Sequence, residues 1–317
     1  MVQASAWAPD ELDAETRVLL SRQRVREILR ELGVRPSRRL GQHFLVEPAV
    51  LFHILRASGL TPQDAVLEIG PGVGVLTGEL LRRARRVVAV EVDRRLYTWL
   101  QSRFAGNARL ELVMADILRV EPGTLMGEPY KVVANLPYAI TSAVLRHLLE
   151  ARPAPQRMVL MVQWEVARRM VAHPPEMSLL GLSVQYYARV EIVHRVPAGC
   201  FLPPPRVDSA VVALEIQPTA RWEVSPERFF WIVHAGFRHP RRTLGNNLAE
   251  SLGLGKEEVT RLLRDVGVAP ERRPETLSLE EWAALCRSLE QERPSLQQPD
   301  AASGARNTTG GPELSQP

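Results

Sequence analysis

Four consecutive residues, Asn135-Leu136-Pro137-Tyr138, combine types suited to chemistry at the exocyclic amine of a nucleobase. Such an amine is a weak nucleophile because its lone pair is delocalised into the ring. Acceptors on its two protons favour the pyramidal form and aim the lone pair at an electrophilic carbon. The Asn135 side-chain oxygen and the backbone carbonyl of Leu136 or Pro137 can supply them. Pro137 fixes the turn and has no N–H of its own to compete. Tyr138 offers a flat face for an extruded base, worth about 1–3 kcal/mol, which offsets part of the cost of flipping it. Methyl transfer to this amine is an in-line displacement in which positioning carries most of the catalysis and no strong general base is needed. Asn135, Leu136, Pro137 and Tyr138 are therefore the candidate catalytic residues. The bland alternative is a tight turn, and the tetrad alone does not choose between DNA and RNA.

A second set of residues could hold the methyl donor. Glu68-Ile69-Gly70-Pro71-Gly72-Val73-Gly74 follows one apolar stretch and opens another, and its glycines let backbone approach a bound nucleotide. The turn lacks the GxGxxG spacing of dehydrogenases. Glu91 stands 21 residues after Gly70, where a carboxylate can accept both ribose hydroxyls. Asp116, in Met114-Ala115-Asp116-Ile117, can accept from an adenine amine. Acidic side chains at strand ends suit a cofactor without phosphates better than a dinucleotide, and S-adenosylmethionine is the expected one. Taken singly, Glu91 and Asp116 also suit helix N-caps, and the glycines a strand-to-helix turn. With Asn135 they place a functional residue at four successive strand ends, where open α/β sheets bind ligands.

The elements that must position these residues follow from periodicity. Ala65–Ile69 reads as a short buried strand, and Val87–Glu91, Leu110–Met114, Lys131–Ala134 and Met158–Val162 read as further strands. Helical stretches intervene: one through Leu81, one near Arg94–Phe104, and Ser142–Leu149. Such alternation implies a parallel sheet covered by helices on both faces. Val190–Val196 and Ala210–Ile216 read as a closing pair of strands. Ahead of the sheet, Glu15–Leu32 has helical apolar spacing and stops at Gly33, and Arg35–Leu45 reads as a loop rich in breakers and charge. Beyond Pro218 the pattern is helical only, over about Pro226–Phe237, Thr243–Ser251, Lys256–Val266 and Leu279–Gln291. The tail after Glu292 has almost no large apolar residues and reads as disordered. No internal repeat is visible.

A chain of 317 residues that is 45% hydrophobic fits two globular domains. No apolar run approaches the ~20 residues that span a membrane, and Met1–Ala14 lacks the pattern of a signal peptide. Cys200 and Cys286 form neither a disulfide framework nor a metal spacing, so no metal and a reducing, cytoplasmic setting are expected. The net charge is only +4, yet Arg17–Arg39 carries eight arginines against Glu27 and Glu31, and Arg238-His239-Pro240-Arg241-Arg242 is a second basic knot. Of the 40 basic residues only Lys131 and Lys256 are lysine. Arginine's planar fork suits phosphate, but a general preference for arginine over lysine accounts equally well for this usage. Composition thus permits a nucleic-acid partner without requiring one.

The sequence resembles the ribosomal small-subunit RNA adenine N6-dimethyltransferase family, the KsgA/RsmA group, from about Arg38 to Leu248 and more weakly to Leu289. The resemblance is carried by Gly41-Gln42-His43-Phe44-Leu45, Glu68-Ile69-Gly70-Pro71-Gly72, Asn135-Leu136-Pro137-Tyr138 and Phe201-Leu202-Pro203-Pro204-Pro205-Arg206-Val207-Asp208-Ser209-Ala210-Val211-Val212. It implies a Rossmann-like class I methyltransferase sheet and a small all-helical C-terminal domain that contacts RNA. The implied organisation is residues 1–37 as an N-terminal helical extension, 38–218 as the S-adenosylmethionine-dependent domain, 219–291 as the helical RNA-contacting domain and 292–317 as a disordered tail. The implied cofactor contacts are His43, Leu45, Glu68, Gly70, Gly72, Glu91, Asp116, Ile117 and Asn135. Arg38, Arg39, Arg206, Arg238, Arg241 and Arg242 are the candidate RNA contacts. The implied activity dimethylates two adjacent adenines in a hairpin loop near the 3′ end of 16S rRNA in the 30S particle, with a role in subunit maturation. A monomer is expected.

The chain departs from the family pattern in places. Ala139 follows the tetrad where asparagine is usual, Trp164 precedes Glu165 in place of lysine, and the usual Tyr-Gly before Leu-Ser-Val appears here as Leu179-Leu180-Gly181 before Leu182-Ser183-Val184. Pro240 and Gly245 stand where arginine is preferred. Two other readings compete: a macrolide-resistance relative that modifies one adenine of large-subunit RNA, and a non-catalytic RNA-binding or transcription factor on the same scaffold. The triple proline disfavours the first, and the intact tetrad and carboxylates disfavour the second.

Overall fold

The computed structural model describes residues 12–37, 41–239, 241–293 and 296. The chain divides into two compact units between Thr219 and Ala220.

The first unit begins with α1 (Ala14–Leu19) and α2 (Arg22–Glu31). A single helix over Glu15–Leu32 is thus corrected to two, because Ser21 leaves helical geometry and its hydroxyl accepts from the Arg24 N–H as an N-cap. β1 (Phe44–Leu45) and α3 (Pro48–Ser58) follow, so the stretch read as loop ends in a short strand. The alternation then runs β2 (Ala65–Ile69), α4 (Val75–Arg83), β3 (Arg86–Glu91), α5 (Arg94–Arg103), β4 (Leu110–Met114), α6 (Pro122–Met126), β5 (Tyr130–Asn135), α7 (Thr141–Glu150) and β6 (Arg157–Gln163). α8 (Trp164–Met170), α9 (Leu179–Tyr187), β7 (Ala188–Val196), β8 (Phe201–Leu202) and β9 (Ser209–Ile216) complete the unit.

Seven of these strands form one sheet in the order β4-β3-β2-β5-β6-β9-β7. β2 pairs in parallel with β3 and β5, and β3 with β4 and β5 with β6 likewise. The two closing strands pair antiparallel with each other, and β9 inserts between β6 and β7. Every residue of β2 is buried, as are Val87–Glu91 and Met158–Val162, which is why these segments read as continuous apolar runs rather than alternating ones. The order reverses at β2, so the crevice at the carboxyl ends of β2 and β5 is the place where such a sheet binds ligand. β1 and β8 form a separate antiparallel pair, Phe44 opposite Leu202 and Leu45 opposite Phe201.

The second unit holds α10 (Pro226–Gly236), α11 (Leu244–Leu252), α12 (Lys256–Asp265) and α13 (Leu279–Glu292). Trp282 is its buried centre, stacked at 5.7 Å on Phe237. Ser278 and Glu281 form a reciprocal capping box at the start of α13. At Gly245, a Cβ would lie 3.2 Å from the Pro270 carbonyl oxygen, so glycine permits the close approach of α11 to that turn. Pro240 and nearly all of the tail read as disordered lie outside the described residues. No helix among the described residues is long and apolar enough to cross a membrane.

Candidate active site

A cavity opens at the carboxyl ends of β2–β5. All four tetrad residues line it, as do His43, Leu45, Glu68, Gly70, Gly72, Glu91, Asp116 and Ile117. The sequence candidates for catalysis and cofactor contact are thus brought together on one wall system. Among the arginines expected to meet RNA, Arg206 is exposed in the first unit, and Arg238, Arg241 and Arg242 are exposed in the second. Arg242 and His239 both meet Glu250. Arg38 and Arg39 lie outside the described residues.

The glycine turn is shaped by its neighbours. Gly72 has φ +60°, donates its N–H to Glu91 Oε2 at 3.1 Å, and would place a Cβ 3.2 Å from the Phe44 ring. At Gly70 a Cβ would meet only the Pro137 ring, at 4.0 Å, so that side of the turn faces open space. Glu91 is not a helix cap: Asp93 caps α5, while Glu91 Oε1 accepts from the Val92 and Asp93 N–H groups at 3.0 and 2.9 Å. These three bonds fix the carboxylate and still leave it acceptor capacity for hydroxyls. Asp116 does cap a short 3-10 turn, with Oδ1 accepting from Leu118 N–H at 3.0 Å, and it also lines the cavity.

The cavity wall is acidic. Burial raises the Glu91 carboxyl, and the bonds from Asp93 and Gly72 counter part of that rise. Glu68 is almost wholly buried, and its Oε2 has no hydrogen-bond partner. Burial, reinforced by the nearby Glu91 charge, pushes its pKa up to about 8. A buried, unpartnered carboxyl oxygen beside a second buried carboxylate fits a positively charged, phosphate-free ligand. The residues present therefore fit S-adenosylmethionine, whose sulfonium and ammonium groups are cationic.

The tetrad is held from the β1 side. Asn135 ends β5 and its amide nitrogen donates to the His43 carbonyl at 3.0 Å. A carbonyl can only accept, so the NH₂ must face it, and Oδ1 is left as an acceptor. The Pro137 carbonyl already accepts from Ile140 N–H and Thr141 Oγ1, both at 3.2 Å. That leaves the Leu136 carbonyl as the better second acceptor of the two considered. Tyr138 stacks on the His43 ring at 5.2 Å and 27°. His43 Nδ1 donates to the Pro203 carbonyl at 2.8 Å, which orients the ring.

Four contributions were not legible as roles. Gly41, at φ +60°, abuts the tetrad so closely that a Cβ would sit 3.0 Å from Tyr138 N. Gln42 accepts from Ser37 N–H at 3.0 Å and donates to Asp93, tying its loop to α5. Ser209 bonds the Tyr138 hydroxyl, and burial raises that phenol's pKa while the bond opposes the rise. Pro203 supplies the carbonyl that holds His43. All four lie in motifs quoted above, but only the fold shows what they touch. Of the departures, Ala139 is exposed in the short turn after the tetrad, and the Arg195 guanidinium lies 4.8 Å over the Trp164 ring.

Several known proteins are similar to this chain. A family model described as "Ribosomal RNA adenine dimethylase" matches residues 34–291. The chain is 48% identical to the ribosomal RNA small subunit methyltransferase A of Dehalococcoides mccartyi over 264 residues, covering 82% of this chain and 91% of that protein. Identity to the protein of the same name from Pelotomaculum thermopropionicum is 42%, covering 84% and 95%. Among solved structures, a dimethyladenosine transferase from Plasmodium falciparum aligns with TM-score 0.69 and 26% identity, covering 79% of this chain and 98% of that one. The 23S rRNA methyltransferase ErmE aligns with TM-score 0.64 and 31% identity, covering 78% and 100%. The chain belongs to the ribosomal RNA adenine dimethylase family.

Proposed function

We propose that this protein transfers methyl groups from S-adenosylmethionine to N6 of two adjacent adenines in a hairpin loop near the 3′ end of 16S rRNA. It dimethylates both, acting as a cytoplasmic monomer on the 30S particle during subunit maturation. The observation that carries the reading is the fixed Asn135 amide, whose donor end is held by His43 and whose acceptor end remains for an amine in the cavity.

S-adenosylmethionine, when bound, supplies a methyl group made electrophilic by its sulfonium. Glu91 is positioned to accept from ribose hydroxyls, Asp116 from an adenine amine, and Glu68 to face positive charge. Asn135 Oδ1 and the Leu136 carbonyl accept the two protons of the target amine and orient its lone pair. One face of Tyr138 is backed by His43, so an extruded adenine stacks on the other. The exposed arginines at 206, 238, 241 and 242 take phosphate contacts, and Arg38 and Arg39 belong to the same reading.

The test uses labelled donor with under-methylated 30S particles and, separately, 50S precursors. Label on small-subunit RNA is expected. Label only on large-subunit RNA would favour the macrolide-resistance reading, and donor binding without transfer to any RNA would favour a non-catalytic binder.

A further inference from the structure

The arginine-rich segment ahead of the sheet is not used by the reading above except at Arg38 and Arg39. Arg22, Arg26 and Arg30 recur every four residues along α2 and so share one face. Arg22 anchors this row by donating to the carbonyls of Gly199 and Phe201, the latter at 3.2 Å. The row therefore lies along the segment that carries β8. Arg26 and Arg30 are exposed and rim a groove whose remaining wall includes Leu29, Val34, Leu202 and Pro203. The acids of the helix pair with Arg24 rather than with this rim: Glu27 and Glu31 lie 3.3 and 3.7 Å from Arg24, Arg30 reaches Glu27 only as a more distant charge, and neither acid lines the groove.

One hydrogen bond links the groove to the active site. Pro203 forms its wall, and the Pro203 carbonyl holds His43, the ring on which Tyr138 stacks. We infer that the Arg26–Arg30 groove is a docking track for the RNA strand flanking the target adenine. Four residues of helix separate the two guanidinium stems by about 6 Å along the axis, which suits successive phosphates of an extended strand. The planar forks take phosphate oxygens, and Leu202 and Pro203 present an apolar floor to sugar edges. This inference rests on the rRNA reading proposed above.

The experiment measures KM for under-methylated 30S particles against salt, using the full chain. In Arg26→Gln/Arg30→Gln, KM should rise several-fold at low salt, and the log–log salt slope should become shallower by about 1.4–1.8, roughly 0.7–0.9 per lost phosphate contact. Arg26→Lys/Arg30→Lys should restore most of the slope. Arg24→Gln, on the same helix but paired with Glu27 and Glu31, should leave the slope as it is. S-adenosylmethionine binding by the double variant serves as the check of folding. If the variant binds donor and its salt slope equals that of the unaltered protein, the track is wrong while the function stands. If the unaltered protein labels no small-subunit RNA, the function is wrong and the track falls with it.

Discussion

Replacing Asn135 with alanine removes two separable things. One is the bond from its amide to the His43 carbonyl, a partly buried neutral hydrogen bond of 3.0 Å, worth about 1 kcal/mol net. The other is Oδ1 as acceptor for the target amine. That interaction strengthens as the nitrogen pyramidalises, so its loss is comparable to removing one preorganised transition-state partner, about 3 kcal/mol. The expected result is a fall in single-turnover methyl transfer of roughly 150-fold, with a smaller loss of donor affinity. Single-turnover incorporation of labelled methyl into under-methylated 30S particles isolates the chemical step from product release. Asn135→Asp sharpens the test, because it keeps acceptor oxygens but sets one against the His43 carbonyl. It should disturb residues 41–45 more than alanine does and lower donor affinity further. Full turnover by Asn135→Ala would refute the amine-acceptor role, and wild-type behaviour of Asn135→Asp would refute the amide orientation.

Other outcomes follow from the same geometry. Tyr138→Ala should lose stacking worth about 1–3 kcal/mol and lower transfer roughly 5- to 150-fold. Tyr138→Phe should keep most of the activity but lose about 1 kcal/mol of stability through the abandoned Ser209 hydroxyl, seen as a lower melting temperature; equal defects would show that the hydroxyl matters more than the ring face. Gly41→Ala must accommodate a Cβ 3.0 Å from Tyr138 N at φ +60°, so methyl transfer should drop about tenfold or more. Gly59→Ala, at φ +53° with nothing within 4 Å, should cost about 1 kcal/mol of stability and no activity. If both behaved alike, crowding of the tetrad would not be the cause. Glu68 gives a pH signature: its folded pKa, about 8, lies above the ordinary 4.5, so the folded chain holds a proton that the unfolded chain releases. Stability is fully present below pH 4.5 and is lost as pH rises through 8, by at most roughly 5 kcal/mol. In donor-free protein, denaturant titrations of Glu68→Gln should show a flatter pH profile and greater stability than wild type near pH 8.5; a profile parallel to wild type would exclude Glu68 as the buried acid.

The strands bearing the site were legible because parallel sheets bury both faces. Ala65–Ile69 is found as read, and Lys131–Ala134 extends by one residue at each end, to Tyr130 and Asn135. The carboxylates followed from lying at strand ends. Elements whose reasons are tertiary were missed. Phe44–Leu45 is a strand only because Phe201–Leu202 arrives beside it, far along the chain. α3 and α9 carry no polar face clear enough to announce them, since their surroundings are largely core, and α8, with Glu165, Arg168 and Arg169 exposed, spans only seven residues, too few for a helical period to stand out. The tetrad announced its own chemistry, but the partners that orient it, His43 backbone, Pro203 carbonyl and Ser209 hydroxyl, come from three separate segments. Their types carry no signal until the sheet brings them within bonding distance. Asp116 shows the converse, because the helix-cap reading and the cavity reading both hold for the same side chain.

The central claim is a specific modification at a specific place. Under-methylated 30S particles incubated with the full chain and S-adenosylmethionine are digested, and the 3′-end hairpin fragment of 16S rRNA is weighed by mass spectrometry. The account predicts a gain of four methyl groups, two on each of two adjacent adenines. A fragment of unchanged mass, or methyl groups confined to a single adenine of large-subunit RNA, would contradict it.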